Sequence, residues 1–248
     1  MSLRYPARYQ PQALPPLATA IFNGLSGAGL VYAALHGGAL RDCEAGAIQK
    51  RDIPVNDYDV RVWLPFCEFY DKPCRTKTLE RIEEAFNSTA VSSVRNRNPD
   101  KIRYILAWAD TVIDLCLQPV PAAYDKRRIT MGAVAQHMAQ TSGLGLNAIS
   151  IDTLGWGWAT EQYRRDMAAE KITVYMGRHA QRRVEHATRI QQKYPRHTIV
   201  AAWSNRVLAL PGSPPPDDKP KPAIMPVIRE GKQKPDNPKV ARLVFSPV

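Results

Sequence analysis

The sequence predicts a fold of the α+β class, followed by a mostly helical segment and an extended, proline-rich tail. Stretches with helical spacing of apolar residues separate short apolar runs of strand length in the first half of the chain. The strand candidates lie at 30–35, 58–64, 102–108 and 112–117. Residues 121–200 read largely as helices, and residues 211–248 contain ten prolines, which prevent a compact core of their own.

The first elements follow from local signals. Pro16 is suited to a helix start, and apolar residues continue at helical spacing to Leu25. The apolar run 30–35 then leads to a glycine pair. The strand at 58–64 alternates between apolar and polar residues, and residues 76–94 have the apolar spacing of an amphipathic helix.

Composition limits the classes of protein that this chain can belong to. Its 248 residues are 44% hydrophobic and 23% charged, which argues against global disorder and against collagen-like structure. It has no uncharged apolar run of about 18 residues, so we expect no membrane span. The amino terminus lacks the apolar stretch of a signal peptide, and the four cysteines form no CxxC pair. These features predict a cytoplasmic protein with free thiols.

A net charge of +11 favours a polyanionic partner, with nucleic acid ahead of an anionic membrane. The plain alternative is a soluble basic protein without such a partner. Lysines and arginines continue among the prolines of the tail. We therefore expect the tail to be either disordered or extended along a protein or nucleic acid partner.

The glycine pair Gly37-Gly38 follows the first strand candidate directly. Glycine has no Cβ, so a phosphate group can approach its backbone N–H groups closely, and Arg41 could supply positive charge nearby. A glycine pair also occurs in ordinary tight turns, and that alternative stays open at this point.

Asp57 and Asp59 lie two residues apart on the second strand candidate and therefore point to the same face. Two neighbouring carboxylates repel each other unless a cation lies between them, and Mg²⁺ prefers oxygen ligands. A pair of Mg²⁺ ions could support displacement at a phosphoryl group. The alternative is a solvated strand face.

Asp114 is a single acid inside the apolar run 112–117. A buried, unpaired carboxylate costs several kcal/mol, so it requires a partner. That partner could be a metal shared with Asp57 and Asp59, an arginine, or solvent at a strand edge. Asp110 competes for the same role but precedes the run and suits a turn.

Taken together, these features resemble the head domain of the DNA polymerase β-like nucleotidyltransferases. The class II branch, which holds bacterial CCA-adding enzymes and poly(A) polymerases, is the most similar. Its opening signature is a glycine pair with Arg-Asp four residues on, then an Asp-x-Asp strand. The corresponding segments here are 37–42 and 57–59. The similarity covers 16–195, and the short form with a proline-rich tail is similar to bacteriophage-encoded members.

The resemblance implies a small mixed sheet flanked by helices in a head domain. It also implies boundaries for an N-terminal arm, the head, a helical neck and the tail, at 1–15, 16–155, 156–210 and 211–248. Asp57, Asp59 and Asp114 would bind two Mg²⁺ ions, and Gly37, Gly38 and Arg41 would face the triphosphate of an NTP. Asn147 and Arg183 would complete the nucleotide site.

The implied activity is transfer of a nucleoside monophosphate from an NTP to an acceptor hydroxyl, with an RNA 3′ end as acceptor. Two departures from the family pattern support an alternative. The ribose-selecting Arg-Arg-Asp triplet is replaced by Thr141-Ser142-Gly143, and two base-pairing acids of the neck are replaced by His179 and Ala180. The alternative is a catalytically degenerate module that binds nucleic acid or belongs to a larger assembly.

Overall fold

A computed structural model describes residues 5–92, 99–125, 129–177 and 179–203. The predicted tail, 211–248, lies outside the described residues. The helices are α1 Ala18–Gly27, α2 Gly38–Gln49, α3 Phe66–Tyr70, α4 Lys72–Phe86, α5 Ala122–Asp125, α6 Met131–Thr141, α7 Glu161–Ala169 and α8 Ala180–Lys193, with a 3₁₀ turn at Gly145–Asn147. The strands are β1 Pro6–Tyr9, β2 Ala33–His36, β3 Asp57–Leu64, β4 Ala90–Ser92, β5 Ile102–Trp108, β6 Thr111–Pro119, β7 Ile149–Asp152, β8 Gly157–Thr160, β9 Lys171–Met176 and β10 Thr198–Trp203.

Eight of these strands form one mixed sheet in the order β1-β8-β7-β2-β3-β6-β5-β4. Strands β3 and β6 run parallel, whereas β2 runs antiparallel to both of its neighbours, β3 and β7. Strands β9 and β10 form a separate parallel pair. The α+β class and the mixed sheet are therefore confirmed, although the sheet is larger than the small one expected.

The two faces of the sheet differ because side chains alternate along each strand. On one face Tyr58, Val60 and Val62 of β3 pack in a core with residues of α1 and α4 such as Leu25 and Ile82. Burying a side chain of leucine or isoleucine size contributes about 1.5–3 kcal/mol. The opposite face carries the polar residues of β3 and is covered by α6 over part of its area.

Local signals explain where several helices begin and end. Helix α4 starts earlier than the predicted residue 76, because Asp71 accepts a hydrogen bond from the Cys74 backbone N–H at 3.2 Å and caps the helix. It ends at Phe86, and the next residue, Asn87, caps it with a left-handed φ of 45°. The segment predicted to continue the helix to residue 94 instead leads into β4.

The segment predicted as a mostly helical neck contains strands as well as helices. Strand β8 pairs with β7 and with β1 in the main sheet, and β9 and β10 flank α8 in sequence. The predicted N-terminal arm also supplies a strand, since Pro6–Tyr9 forms the edge strand β1. Three consecutive β-branched residues followed by an aromatic one, at 172–175, favour the strand β9 over a helix. Within the described part of the chain, no helix combines the length and apolarity needed to cross a membrane.

Candidate active site

The candidate site begins with two carboxylates at the start of β3. Asp57 is exposed and Asp59 is partly buried, and both point away from the core that holds Tyr58. Neither forms a hydrogen bond or an ion pair with another described residue. Partial burial raises the pKa of Asp57, and the charge of Asp59 raises it further. Burial also raises the pKa of Asp59, although Arg103 and Arg61 oppose this effect.

Asp114 lies beside Asp59 on the neighbouring parallel strand. The register of β3 and β6 places Asp59 opposite Asp114 and Asp57 opposite Val112. Neighbouring strands lie about 4.8 Å apart, and residues in register share a face of the sheet. The three acids therefore lie on the same face of the sheet, and Asp114 is 6% exposed.

The partner of buried Asp114 is an arginine. Arg103 Nε donates a hydrogen bond to Asp114 Oδ1 at 2.5 Å, and Arg103 Nη2 forms an ion pair with Oδ2. Arg103 comes from β5, and its side chain is 47% exposed. In the described ranges, no group of three or more His, Cys, Asp and Glu side chains is arranged to hold a metal ion. The carboxylate oxygens of Asp57 and Asp59 are suitable ligands for Mg²⁺, whereas the carboxylate of Asp114 is already paired with Arg103.

The glycine turn lies next to Asp59. Strand β2 places His36 opposite Asp59, and Gly37 follows as the residue that caps α2. Gly37 has a φ of 77°, which favours glycine, and a Cβ at this position would lie 3.6 Å from Asp59 Oδ2. Helix α2 thus begins beside the carboxylate, with no acidic residue in its first turn. A helix amino terminus of this kind attracts an anion such as phosphate.

Arg41 is buried in a polar network instead of projecting freely into the site. Arg41 Nε donates to Asp42 Oδ1 at 2.7 Å, and Nη1 donates to Asn147 Oδ1 at 2.6 Å. Asp42 also accepts hydrogen bonds from Lys193 Nζ at 2.9 Å and from the Tyr194 hydroxyl at 2.6 Å. This network ties α2 to the 3₁₀ turn and to the end of α8. Asp42 is part of the Arg-Asp signature in the sequence, but the sequence did not predict its role in this network.

Helix α8 places Lys193 and His186 near the acids. Lys193 lowers the pKa of Asp57 and His186 lowers that of Asp59, although the net pKa shift of both acids is upward. Burial lowers the pKa of His186 itself, while Asp59 opposes that shift. Arg182 and Arg189 are exposed on the same helix. The apolar side of the helix is buried through Ala187 and Ile190, and Tyr194 directly after the helix is buried in the same core.

Arg183, which the resemblance assigned to the nucleotide site, makes a different set of contacts. Arg183 Nη1 donates to the Tyr175 carbonyl oxygen at 2.5 Å, and the side chain packs closely against Gly143. These contacts fasten α8 to β9 and to the segment after α6. The structure therefore brings Asp57, Asp59 and Asp114 together, places Gly37 beside them, and gives Arg183 a bond to the backbone of β9.

A cavity of about 570 Å³ opens at the same edge of the sheet but on the core side of β3. Tyr58, Asn56, Cys43, Asp110 and Thr111 are among its lining residues. Asp57, Asp59 and Asp114 do not line it. The chemistry of the three acids therefore belongs to the open polar face of the sheet and not to this cavity.

No protein-family model matches the sequence, and no curated protein matches it. Among solved structures, the chain is similar to a CCA-adding enzyme in complex with CTP, with a TM-score of 0.45 and 15% sequence identity over 70% of this chain and 36% of that chain. It is also similar to the Bacillus stearothermophilus CCA-adding enzyme in complex with CTP, with a TM-score of 0.40 and 16% identity over 73% of this chain and 38% of that chain. The chain spans less than two fifths of either enzyme, and the likeness concerns the fold alone.

Proposed function

We propose that this protein is a metal-dependent nucleotidyltransferase that transfers a nucleoside monophosphate from an NTP to an acceptor hydroxyl. The proposal depends on Asp57 and Asp59, whose two carboxylates form no ion pair with a described residue. Both lie beside the glycine turn that begins α2. A site of this kind combines oxygen ligands for a hard cation with backbone N–H groups for a phosphate. The class II signature in the sequence points to the same activity.

Each residue has a defined part in this proposal. Asp57 and Asp59 would hold Mg²⁺, which supplies charge neutralisation at the reacting phosphoryl group. Gly37 and Gly38 leave space for the phosphates of the NTP against the amino terminus of α2. Arg41, held by Asp42 and Asn147, contributes positive charge from a fixed position below that turn.

The proposed acceptor is the 3′ end of an RNA. The chain carries a net charge of +11, and exposed Arg182 and Arg189 lie on α8, the helix that brings His186 and Lys193 to the acids. Phosphate contacts of this type provide affinity without reading sequence. The 3′ hydroxyl would approach across the open face that carries Asp59.

The activity is tested by incubating the full chain with Mg²⁺, RNA and each labelled NTP in turn. Asp57→Asn and Asp59→Asn are expected to lower incorporation at least about a hundredfold, since even the supporting partners of metal ligands contribute 10–100-fold. Asp110→Asn is the matched control, because it makes the same chemical change in the exposed turn between β5 and β6. It should leave incorporation unchanged. Absence of incorporation with every NTP refutes the proposal.

A second candidate function is binding without catalysis, and the ion pair between Arg103 and Asp114 favours it. If the site has lost catalytic activity, Asp114 is no longer needed as a metal ligand and can be paired with an arginine. In that case RNA binding should persist with a salt-dependent affinity, no NTP should be incorporated, and Asp57→Asn should leave RNA affinity unchanged. The same two variants therefore distinguish an enzyme from a binding module.

A further inference from the structure

The number of metal ions that the site can hold depends on whether the carboxylate of Asp114 is free to bind one. Both of its carboxylate oxygens contact the guanidinium of Arg103, through Nε and Nη2. Asp114 is 6% exposed, so water does not weaken this pairing strongly on the Asp114 side. A divalent cation that approached Asp114 would meet the positive charge of Arg103 at the same place.

Asp57 and Asp59 differ from Asp114 in their contacts, although the charges of Arg103 and Arg61 also act on Asp59. They have no partner among the described side chains, they share a face, and Asp57 is open to solvent. Mg²⁺ in proteins is commonly held by one or two carboxylates, with waters and substrate phosphates completing its coordination. One ion on these two carboxylates therefore satisfies the usual chemistry without any contribution from Asp114.

We infer that the protein itself holds a single divalent cation, on Asp57 and Asp59, and that Arg103 keeps Asp114 out of metal coordination. This inference rests on the proposed function and adds to it the number of ions. Arg103 is a positioning residue here. Its guanidinium supplies, at Asp114, the positive charge that a second ion would otherwise supply.

The test is the number of Mn²⁺ ions bound per full-length chain without nucleotide, measured from the spectroscopic signal of free Mn²⁺. The informative variant is the neutral pair Arg103→Gln with Asp114→Asn, which removes Asp114 as a ligand without leaving a buried, unpaired charge. Wild type and the neutral pair should each bind one ion, with dissociation constants within about threefold. The matched control is Arg165→Gln with Glu161→Gln, which neutralises an exposed ion pair elsewhere.

Three further variants complete the design. Asp57→Asn and Asp59→Asn should each weaken Mn²⁺ binding at least tenfold. Arg103→Gln alone frees Asp114 and should allow a second ion to bind, and a count that stays at one overturns the role given to Arg103.

The outcomes separate the two proposals. Two ions in wild type and one in the neutral pair would overturn the inference while leaving the proposed function intact. Loss of the bound ion in the neutral pair, with the fold preserved by circular dichroism, would also overturn the inference. No ion bound to wild type without nucleotide would overturn the inference, whereas the proposed function is overturned only when no NTP is incorporated.

Discussion

The hydroxyl of Tyr194 should be a measurable part of the link between α8 and the glycine motif. Tyr194 and Asp42 are 1% and 3% exposed, and the hydroxyl donates to Asp42 Oδ1 at 2.6 Å. A hydrogen bond to a charged group contributes about 1.5–3 kcal/mol. Asp42 keeps its contacts with Arg41 and Lys193 in a Tyr194→Phe variant, so we expect a loss near the lower end, about 1.5–2 kcal/mol.

The change is confined to the hydroxyl, because the phenyl ring of Tyr194→Phe can still pack near Arg41 and His197. Lys193→Met removes another donor to the same carboxylate, but the Lys193 side chain is 32% exposed. Its expected cost is therefore only about 0.5–1 kcal/mol. The free energy of unfolding in urea, followed by circular dichroism on the full chain, measures both.

The free energies of unfolding of these two variants, compared with each other, test whether burial strengthens the contact with Asp42. The hydroxyl variant should be the less stable of the two. A Tyr194→Phe protein within about 0.5 kcal/mol of wild type, or a larger loss for Lys193→Met, would show that burial does not strengthen this contact as argued.

Three other predictions concern the same edge of the sheet. Gly37→Ala should lower the melting temperature by several degrees, because φ is 77° and a left-handed residue other than glycine costs about 1–2 kcal/mol. Gly27→Ala, at the last residue of α1, is the control; a Cβ meets nothing within 4 Å there and alanine favours a helix, so this variant should melt no lower than wild type. Burial lowers the pKa of His36 to about 3, so the unfolded chain binds the extra proton between pH 6.5 and 3. The free energy of unfolding should thus be highest above pH 6.5 and fall as the pH drops toward 3. His36→Gln should make the free energy of unfolding depend less on pH in this range. In EDTA, Asp59→Asn should melt higher than wild type, because it removes the repulsion with Asp57, and it should lose the rise in melting temperature that Mg²⁺ gives wild type.

Alternation along a strand was sufficient to predict where the acids point. Polar and apolar residues alternate over 57–62, so the shared face of Asp57 and Asp59 follows from backbone geometry alone. The strand-length apolar run around Asp114 predicted a neighbouring strand, and the register of β3 and β6 confirmed a common face. A strongly periodic segment therefore predicts which side chains share a face of the strand, even when the neighbouring strands are unknown.

The pairing of Arg103 with Asp114 was not predicted, because Asp110 indicated a turn between β5 and β6 but not that this turn is a two-residue hairpin loop. The two-residue loop is Ala109-Asp110, and both residues have a left-handed φ, of 47° and 59°. Such loops usually contain glycine or asparagine, so the sequence did not mark a tight hairpin here. Without the hairpin, the register that brings Arg103 beside Asp114 cannot be deduced.

Strands of the predicted neck were missed for a different reason. Strand β8 is four residues long and pairs with β1, a segment about 150 positions earlier in the chain. The spacing of apolar residues within a short segment does not predict a pairing strand so far away in the sequence. Strand β9 shows no alternation, because residues 172–175 are all buried, and its parallel partner β10 lies beyond the whole of α8.

The position of the site follows from the topology of the sheet. Strand β2 runs antiparallel to β3, so the carboxyl end of β2 lies at the amino end of β3, beside Asp59. A helix that follows β2 must begin at that end, and α2 therefore directs its amino terminus toward the carboxylates. Helix α6 covers the other end of the same face, where it packs on Trp63. The uncovered half leaves Asp57 and Asp59 unpaired at a cost in stability, which is the expected trade-off where carboxylates are kept for a ligand.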